Sequence, residues 1–297
     1  MIKSDWHIHT KNSCDCPDGI SMEKLVRQAL GRGVTDFGVS DHVHTYLNYP
    51  SELKKSREEF ERLMEKYPDL KGRFHFGVEV SSVSEWEIDV LMNGKVAEED
   101  KQYAPYTYGL RRSNGPRYGE SCFPVNAEII AGYNIEYVIG GVHWAMFPDD
   151  DSKRASEDLH KQYMKALAHP HIDILAHWLW WAAANPGENE FADFKKIPAY
   201  MKDEIAWGLK RYDKVFEINN LFKDNYEGRL APDFTRLYLE YAAALQDSGV
   251  TLSFGSDFHG NDYSSTVYID EVLFKECGID TDKFFCLPRK KVKVKSG

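Results

Sequence analysis

Short apolar runs of strand length recur along the chain, and the stretches between them return apolar residues every three or four positions. The runs cover residues 4–10, 36–40, 74–80, 137–144, 172–178, 215–219 and 251–258. In the first, Ser-Asp-Trp-His-Ile-His-Thr, successive side chains point to opposite faces, so His7 and His9 project together. Ser21 opens an amphipathic run through Leu25, Val26, Ala29 and Leu30 that Gly31 and Gly33 end, which predicts a helix. Residues 51–67 carry Leu53, Phe60, Leu63 and Met64 at helical spacing, and residues 126–133 predict another helix. Alternation of strand with helix predicts an α/β fold with a parallel sheet.

Polar landmarks close the strands at His9, His42, Glu79, His143, His177, Glu217 and Asp257, with spacings of 33, 37, 64, 34, 40 and 40. A period of about 30–40 residues fits repeated βαβ units, seven in all. The one long spacing coincides with residues 94–123, rich in Tyr, Gly, Arg and Pro and without periodicity, which predicts an inserted loop after the third strand. No shift in composition divides the chain, so one domain is expected over residues 1–297, with that insertion and a short basic tail over about 288–297. In parallel barrels chemistry gathers at the carboxyl ends of the strands, where the His, Asp and Glu landmarks lie.

A net charge of -10 opposes general affinity for polyanions, although residues 289–295 carry five basic side chains. Nucleic acid is therefore not the expected partner. The five cysteines are odd in number and scattered, and no apolar leader follows Met1-Ile2-Lys3, so a reduced cytoplasmic protein is expected. The longest apolar stretch, 172–184, is broken by Asp173 and His177 and is too short to span a bilayer, so no membrane segment is expected.

Nine residues can be assembled from the strand ends and the loop after the first strand: His7, His9, Asp15, His42, Glu79, His143, His177, Asp257 and His259. Imidazole and carboxylate together suit divalent zinc, manganese or iron, and neighbouring ions need a shared carboxylate to offset their repulsion. Each residue alone has an ordinary reading, as a loop cap, a turn residue or one half of a buried ion pair. The set is harder to dismiss, because a core strand that ends in a charged or imidazole side chain costs desolvation unless it finds a partner. His44, His75, His160, His169 and His171 fall outside the set and read as surface or packing residues. Cys14 and Cys16 flank Asp15, but one Cys-x-Cys without a second half is a weak metal signal.

The chain resembles the polymerase-and-histidinol-phosphatase (PHP) superfamily. The likeness rests on His-x-His within Asp5 to Thr10, Ser-Asp-His at Ser40 to His42, Gly-x-Glu at Gly77 to Glu79 and Gly-x-Val-His at Gly140 to His143. It continues with Asp-Ile-Leu-x-His at Asp173 to His177, Glu-x-Asn at Glu217 to Asn219 and Gly-Ser-Asp-x-His at Gly255 to His259. The resemblance implies a distorted (β/α)7 barrel, TIM-like, holding two or three divalent ions at its carboxyl-end rim. By that analogy His7, His9, Glu79 and Asp257 hold one ion, Glu79, His143 and His177 a second, and Asp15, His42 and His259 a third. Asp15 stands where many members carry histidine. Glu79, His42, Asp257 and His259 are the residues expected to carry catalysis, while Glu217 is expected to orient Asn219 or a histidine from behind.

The chemistry so implied is phosphate-ester hydrolysis, in which a hydroxide bridging two ions attacks while the ions neutralise phosphoryl oxygens. Asn219, Lys223, Arg229, Arg111 and Arg112 are the candidates for contacting the phosphate or its leaving group. The leading expectation is a phosphatase acting on a small organic phosphomonoester, of the histidinol-phosphatase type and without a polymerase or DNA-binding module. A phosphodiesterase or exonuclease is the alternative, and it would want a basic groove that the composition does not show. A non-catalytic metal-binding regulatory module is a third reading, opposed by ligand-competent residue types at all nine positions.

Overall fold

A computed structural model of the chain describes residues 2–94, 120–146, 152–181 and 190–287. Its main sheet runs β1 (Ser4–Asp5), β2 (Asp36–Val39), β4 (Phe74–Ser81), β7 (Tyr137–Gly141), β8 (Ile174–Leu175), β9 (Val215–Asn219) and β10 (Leu252–Gly255) in that spatial order, with every neighbour parallel. A short strand β3 (His42–Val43) adds to β4 beyond the end of β2. Strand β5 (Val83–Ser84) pairs antiparallel with β6 (Ser121–Cys122), outside the main sheet. The sheet closes on itself where Trp6 N–H donates to Phe254 O at 3.0 Å, Asp257 N–H to His7 O at 2.8 Å and His9 N–H to Phe258 O at 3.0 Å. The result is the expected α/β barrel of seven parallel strands with helices around it.

The helices form where periodicity and caps agree. Met22–Gly31 is capped by the Ser21 hydroxyl, which accepts from Lys24 N–H, and it buries Met22, Leu25, Val26 and Ala29 along one stripe. Lys54–Lys66 buries Phe60 and Leu63, and Ala127–Tyr133 is capped by Asn126 and stopped by Asn134 in the left-handed conformation. The longer helices Ser152–Ala168, Ala199–Arg211 and Phe234–Asp247 fill the remaining crossovers.

Two apolar clusters divide the packing. The barrel interior holds Trp6, Tyr137, Ile139, Ile174, Ala176, Val215 and Phe285, while a much larger cluster fills the layer between strands and helices. The Tyr137 hydroxyl lies 2.8 Å from Trp6 O and 3.0 Å from Val39 O, and Trp6 Nε1–H donates to Phe285 O at 3.0 Å. Polar tips buried in the barrel are thus satisfied by main-chain carbonyls.

Several strands are shorter than their apolar runs. The first is expected over 4–10, yet its ladder stops at Asp5 apart from a single bridge between Ile8 and Phe258. Side chains take the amides that a ladder would use: His7 N–H donates to Asp5 Oδ1 at 3.3 Å, Ile8 N–H to Ser40 Oγ at 3.2 Å and Thr10 N–H to Asp41 Oδ1 at 2.6 Å. Strands β7, β8 and β10 likewise end before His143, His177 and Asp257, and those residues stand on the turns above the ladder. Of the insertion expected over 94–123, residues 95–119 lie outside the described residues and Ser121–Cys122 form β6. Arg111, Arg112 and the basic tail over 288–297 also lie outside them.

Candidate metal centre

All nine residues assembled from the sequence meet at the carboxyl end of the barrel. His7 and His9 follow β1, and their Nε2 atoms lie 3.0 Å apart. Glu79 sits inside β4 and divides its oxygens between neighbours. Its Oε2 lies 3.1 Å from His7 Nε2, 3.4 Å from His9 Nε2 and 3.0 Å from His42 Nδ1. Its Oε1 lies 3.0 Å from His177 Nε2 and 3.3 Å from His143 Nε2. Asp257 Oδ1 lies 3.4 Å from both His7 Nε2 and His9 Nε2. Asp15 Oδ2 lies 3.2 Å from His42 Nε2 and 3.0 Å from His259 Nε2.

The donors sort into overlapping groups: His7, His9 and Asp257; His7, Glu79 and His177; His42, Glu79 and His143; and His9, Asp15, His42 and His259. His42 turns one ring nitrogen to Asp15 and the other to Glu79, so it joins the outer group to the inner ones.

These residues fit divalent ions. A tetrahedral ion with bonds of about 2.0–2.1 Å sets its ligand atoms roughly 3.3–3.4 Å apart, close to the 3.0–3.4 Å spacings within the cluster. His42 Nδ1 approaches Glu79 Oε2 to 3.0 Å without the alignment of a hydrogen bond, as expected of lone pairs converging on a shared point. Gly141 leaves the necessary room, since a Cβ there would run into Glu79 Oε1 and the His143 ring.

Electrostatics keep the carboxylates in the form that binds metal. Burial alone would raise the pKa of Glu79, but the imidazoles, His42 and His7 foremost, hold it well below the ordinary carboxylate range. The same opposition of burial to nearby histidines, His7 first, holds Asp257 low, and His42 does so for Asp15. Burial pushes His143 down to about 4, which leaves it a neutral donor. For His7 the carboxylates Glu217, Asp257 and Glu79 outweigh burial and raise its pKa.

Exposure is graded across the cluster. The side chains of His7, His9 and Glu79 are 0% exposed, whereas Asp15 and His259 are 32% and 37% exposed, so among the described residues the outer group is the more open side of the cluster. Trp180 stands edge-on to His143 at 5.3 Å between centroids and touches Trp144 at 6.1 Å, forming a partly exposed aromatic wall beside the inner groups.

The residues expected to contact substrate fare unevenly. Asn219 is fully buried, with its amide donating to Glu217 Oε2 at 3.0 Å and its oxygen accepting from Leu221 N–H at 2.8 Å. Among the described residues, Arg229 is exposed over the Tyr226 ring, and neither it nor half-buried Lys223 hydrogen-bonds to the cluster. Cys14 and Cys16 are free thiols outside the donor groups.

Two supports escaped the sequence reading. His44 packs as expected of the residues outside the set, yet its Nδ1 lies 2.9 Å from Ser81 Oγ, itself 3.2 Å from His143 Nδ1, so it backs a member of the cluster. The His-x-His spacing of 42 and 44, the same alternation as 7 and 9, was the available signal. Ser13 accepts from His42 N–H at 3.1 Å and donates to Asp15 Oδ1 at 2.8 Å, and nothing in its sequence context marks it.

Comparison with solved structures gives the same architecture. The histidinol phosphate phosphatase HISK of Lactococcus lactis subsp. lactis Il1403, solved with zinc, L-histidinol and phosphate, aligns with a TM-score of 0.59 at 16% identity over 94% of this chain and 95% of that one. The HisK protein of Listeria monocytogenes aligns with a TM-score of 0.54 at 15% identity over 87% and 96%. At such identity the likeness speaks for the fold. No curated protein sequence matches the chain. The family model described as PHP domain matches residues 5–221, a span that holds seven of the nine cluster residues and excludes Asp257 and His259. With the motifs, the barrel and the rim cluster in agreement, the chain belongs to the PHP domain family.

Proposed function

We propose that the protein is a metal-dependent phosphoric monoester hydrolase acting on a small organic phosphate, with histidinol phosphate the first substrate to try. The observation that carries this reading is the division of Glu79, which turns one oxygen to His177 and His143 and the other to His7, His9 and His42. A single buried carboxylate placed so can serve two ions at once, an arrangement suited to stabilising both the attacking and the leaving oxygen of an in-line displacement at phosphorus. Divalent ions held there supply Lewis acidity toward phosphoryl oxygens and lower the pKa of water to near neutrality.

The chain's own residues supply the rest. His7, His9, Glu79 and Asp257 would hold one ion, Glu79, His143 and His177 its neighbour, and Asp15, His42 and His259 the outer one. Burial of the inner donors excludes bulk water and strengthens each electrostatic contact with the phosphate. The exposed outer group leaves an approach for a monoester. A protein of net charge -10 lacks the electrostatics that a polyanion would seek, which supports a small ester over a polynucleotide. Histidinol phosphate enters because the Lactococcus lactis HISK structure holds L-histidinol and phosphate.

The test is a metal-reconstituted panel of histidinol phosphate, sugar phosphates, nucleotides and a short single-stranded oligonucleotide. Phosphate release from a small monoester, abolished by chelator and restored by zinc or manganese, is expected. Cleavage of the oligonucleotide in preference to every monoester would replace this reading with the phosphodiesterase one, and a metal-free protein indifferent to chelator and added ions would end it.

A further inference from the structure

Glu217 lies beneath the cluster, 1% exposed, and each of its oxygens reaches a different part of the site. Oε1 accepts from His7 Nδ1 at 2.7 Å, and Oε2 accepts from the main-chain N–H of His177 at 2.7 Å. Oε2 also accepts from Asn219 Nδ2 at 3.0 Å, and that same amide reaches Asp257 Oδ2 at 3.4 Å. Strand β9 therefore ties together three cluster residues that come from β1, β8 and β10.

Two of the three cluster residues tied by this bracket stand in backbone conformations that side chains disfavour, with φ of 25° at His177 and 53° at Asp257. Only external bonds hold such geometry, and the Glu217 bond to His177 N–H is one of them. The His177 ring offers no substitute, because its Nδ1 is buried without a hydrogen bond among the described residues. The neighbouring strand is shaped to the bracket as well. A Cβ at Gly255 would collide with Glu217 Oε1, so glycine alone lets the carboxylate reach His7.

We propose that Glu217 is the positioning residue of the centre, fixing His7 as the Nδ1–H tautomer with Nε2 free to ligate while it sets the turn that presents His177. This rests on the metal-centre reading above and goes beyond it by assigning the common support of its two inner ion positions. A carboxylate behind a ligating imidazole raises its basicity and locks its ring, and loss of such a partner costs about 10- to 100-fold in metal affinity. Here the loss reaches both inner ion positions together, since one side chain supports His7 at one and His177 at the other.

The experiment is zinc binding by chelator competition on the full chain, comparing wild type, Glu217→Gln and Asp15→Asn, with metal-free folding followed by circular dichroism. Glu217→Gln keeps the volume but offers only one acceptor oxygen. It should weaken zinc binding about 10- to 100-fold at the inner positions in concert, whereas Asp15→Asn should affect one position only. A merely structural role would lower the melting temperature of the metal-free protein and leave the zinc affinity of the folded fraction unchanged, and that result would overturn the proposal. Should Glu217→Gln not fold, histidine-selective 15N spectra of the zinc-loaded wild type decide it: His7 protonated on Nδ1 supports the assignment, and His7 protonated on Nε2 overturns it. Wild type that binds no zinc would overturn the metal centre itself, a failure distinct from unchanged affinity in the variant.

Discussion

Glu79→Gln and Asp15→Asn remove the same formal charge from two places that differ in solvent access. Glu79 is fully buried with both oxygens against imidazoles, while Asp15 is about a third exposed and uses one oxygen toward His42 and His259. Opposite unit charges about 4 Å apart are worth about 4 kcal/mol at an effective dielectric of about 20 and about 1 kcal/mol in water. At roughly 1.4 kcal/mol per tenfold in rate, Glu79→Gln should lose about a thousandfold in kcat and Asp15→Asn about fivefold. The assay is steady-state hydrolysis of an aryl phosphate at saturating zinc or manganese, with metal content and circular dichroism measured on each sample. If both variants fold, load metal and lose kcat equally, the separation of a buried core from an auxiliary outer group is wrong.

Metal analysis of protein purified without chelator should find two or three divalent transition ions per chain, and a chelated sample should regain activity on adding zinc or manganese. Burial raises Asp5 to about 6, so the folded metal-free protein holds a proton there that the unfolded chain has released, and this stabilisation is lost as pH rises from about 4 through 6. The melting-temperature difference between wild type and Asp5→Asn should therefore fall across that window, and a constant difference would refute the assignment. Trp180→Ala should raise KM for the preferred ester about 2- to 10-fold with metal content unchanged, the range expected for one lost aromatic contact. The carboxyl-terminal end of the insertion pairs with β5, Cys122 opposite Val83. Replacing residues 95–119 by a Gly-Ser connector should raise KM for that ester yet spare aryl phosphate hydrolysis, and an unchanged KM would remove the insertion from the pocket.

Element order and the membership of the rim cluster were legible because both are written locally. An alternating His-x-His, a helix cap at Ser21 and a carboxylate in an apolar run need only a few neighbouring residues to be read. Where the strands stop was not legible. Thr10 N–H leaves the ladder for Asp41, and His177 N–H turns to Glu217, 40 positions away in sequence. Those choices depend on which side chains the closed barrel brings near each amide. His44 shows the converse case, since its spacing from His42 was plain but its use depends on Ser81 and His143 standing together.

The departures from a regular barrel and the chemistry share one origin. Asp5 and Asp41 occupy buried positions where a barrel would ordinarily carry an apolar side chain, and each gives one oxygen to main-chain amides and the other to hydroxyls. Asp5 accepts from His7 N–H and from Ser256 N–H at 2.9 Å, thereby joining the first strand to the turn that carries Asp257. Asp41 takes Thr10 N–H and its hydroxyl, at 2.6 and 2.9 Å, and fixes the chain just beyond His9. Burying two carboxylates costs desolvation, as the raised pKa values of both attest, so the junctions around the first strand are less stable than hydrophobic side chains would make them. In exchange the amides beside His7, His9 and Asp257 are held by fixed acceptors instead of a ladder that could slip by two residues and carry both histidines off the rim. Local rules are broken here, and the breakage is confined to the residues that place the ligands, which is where a folded enzyme tolerates such a cost.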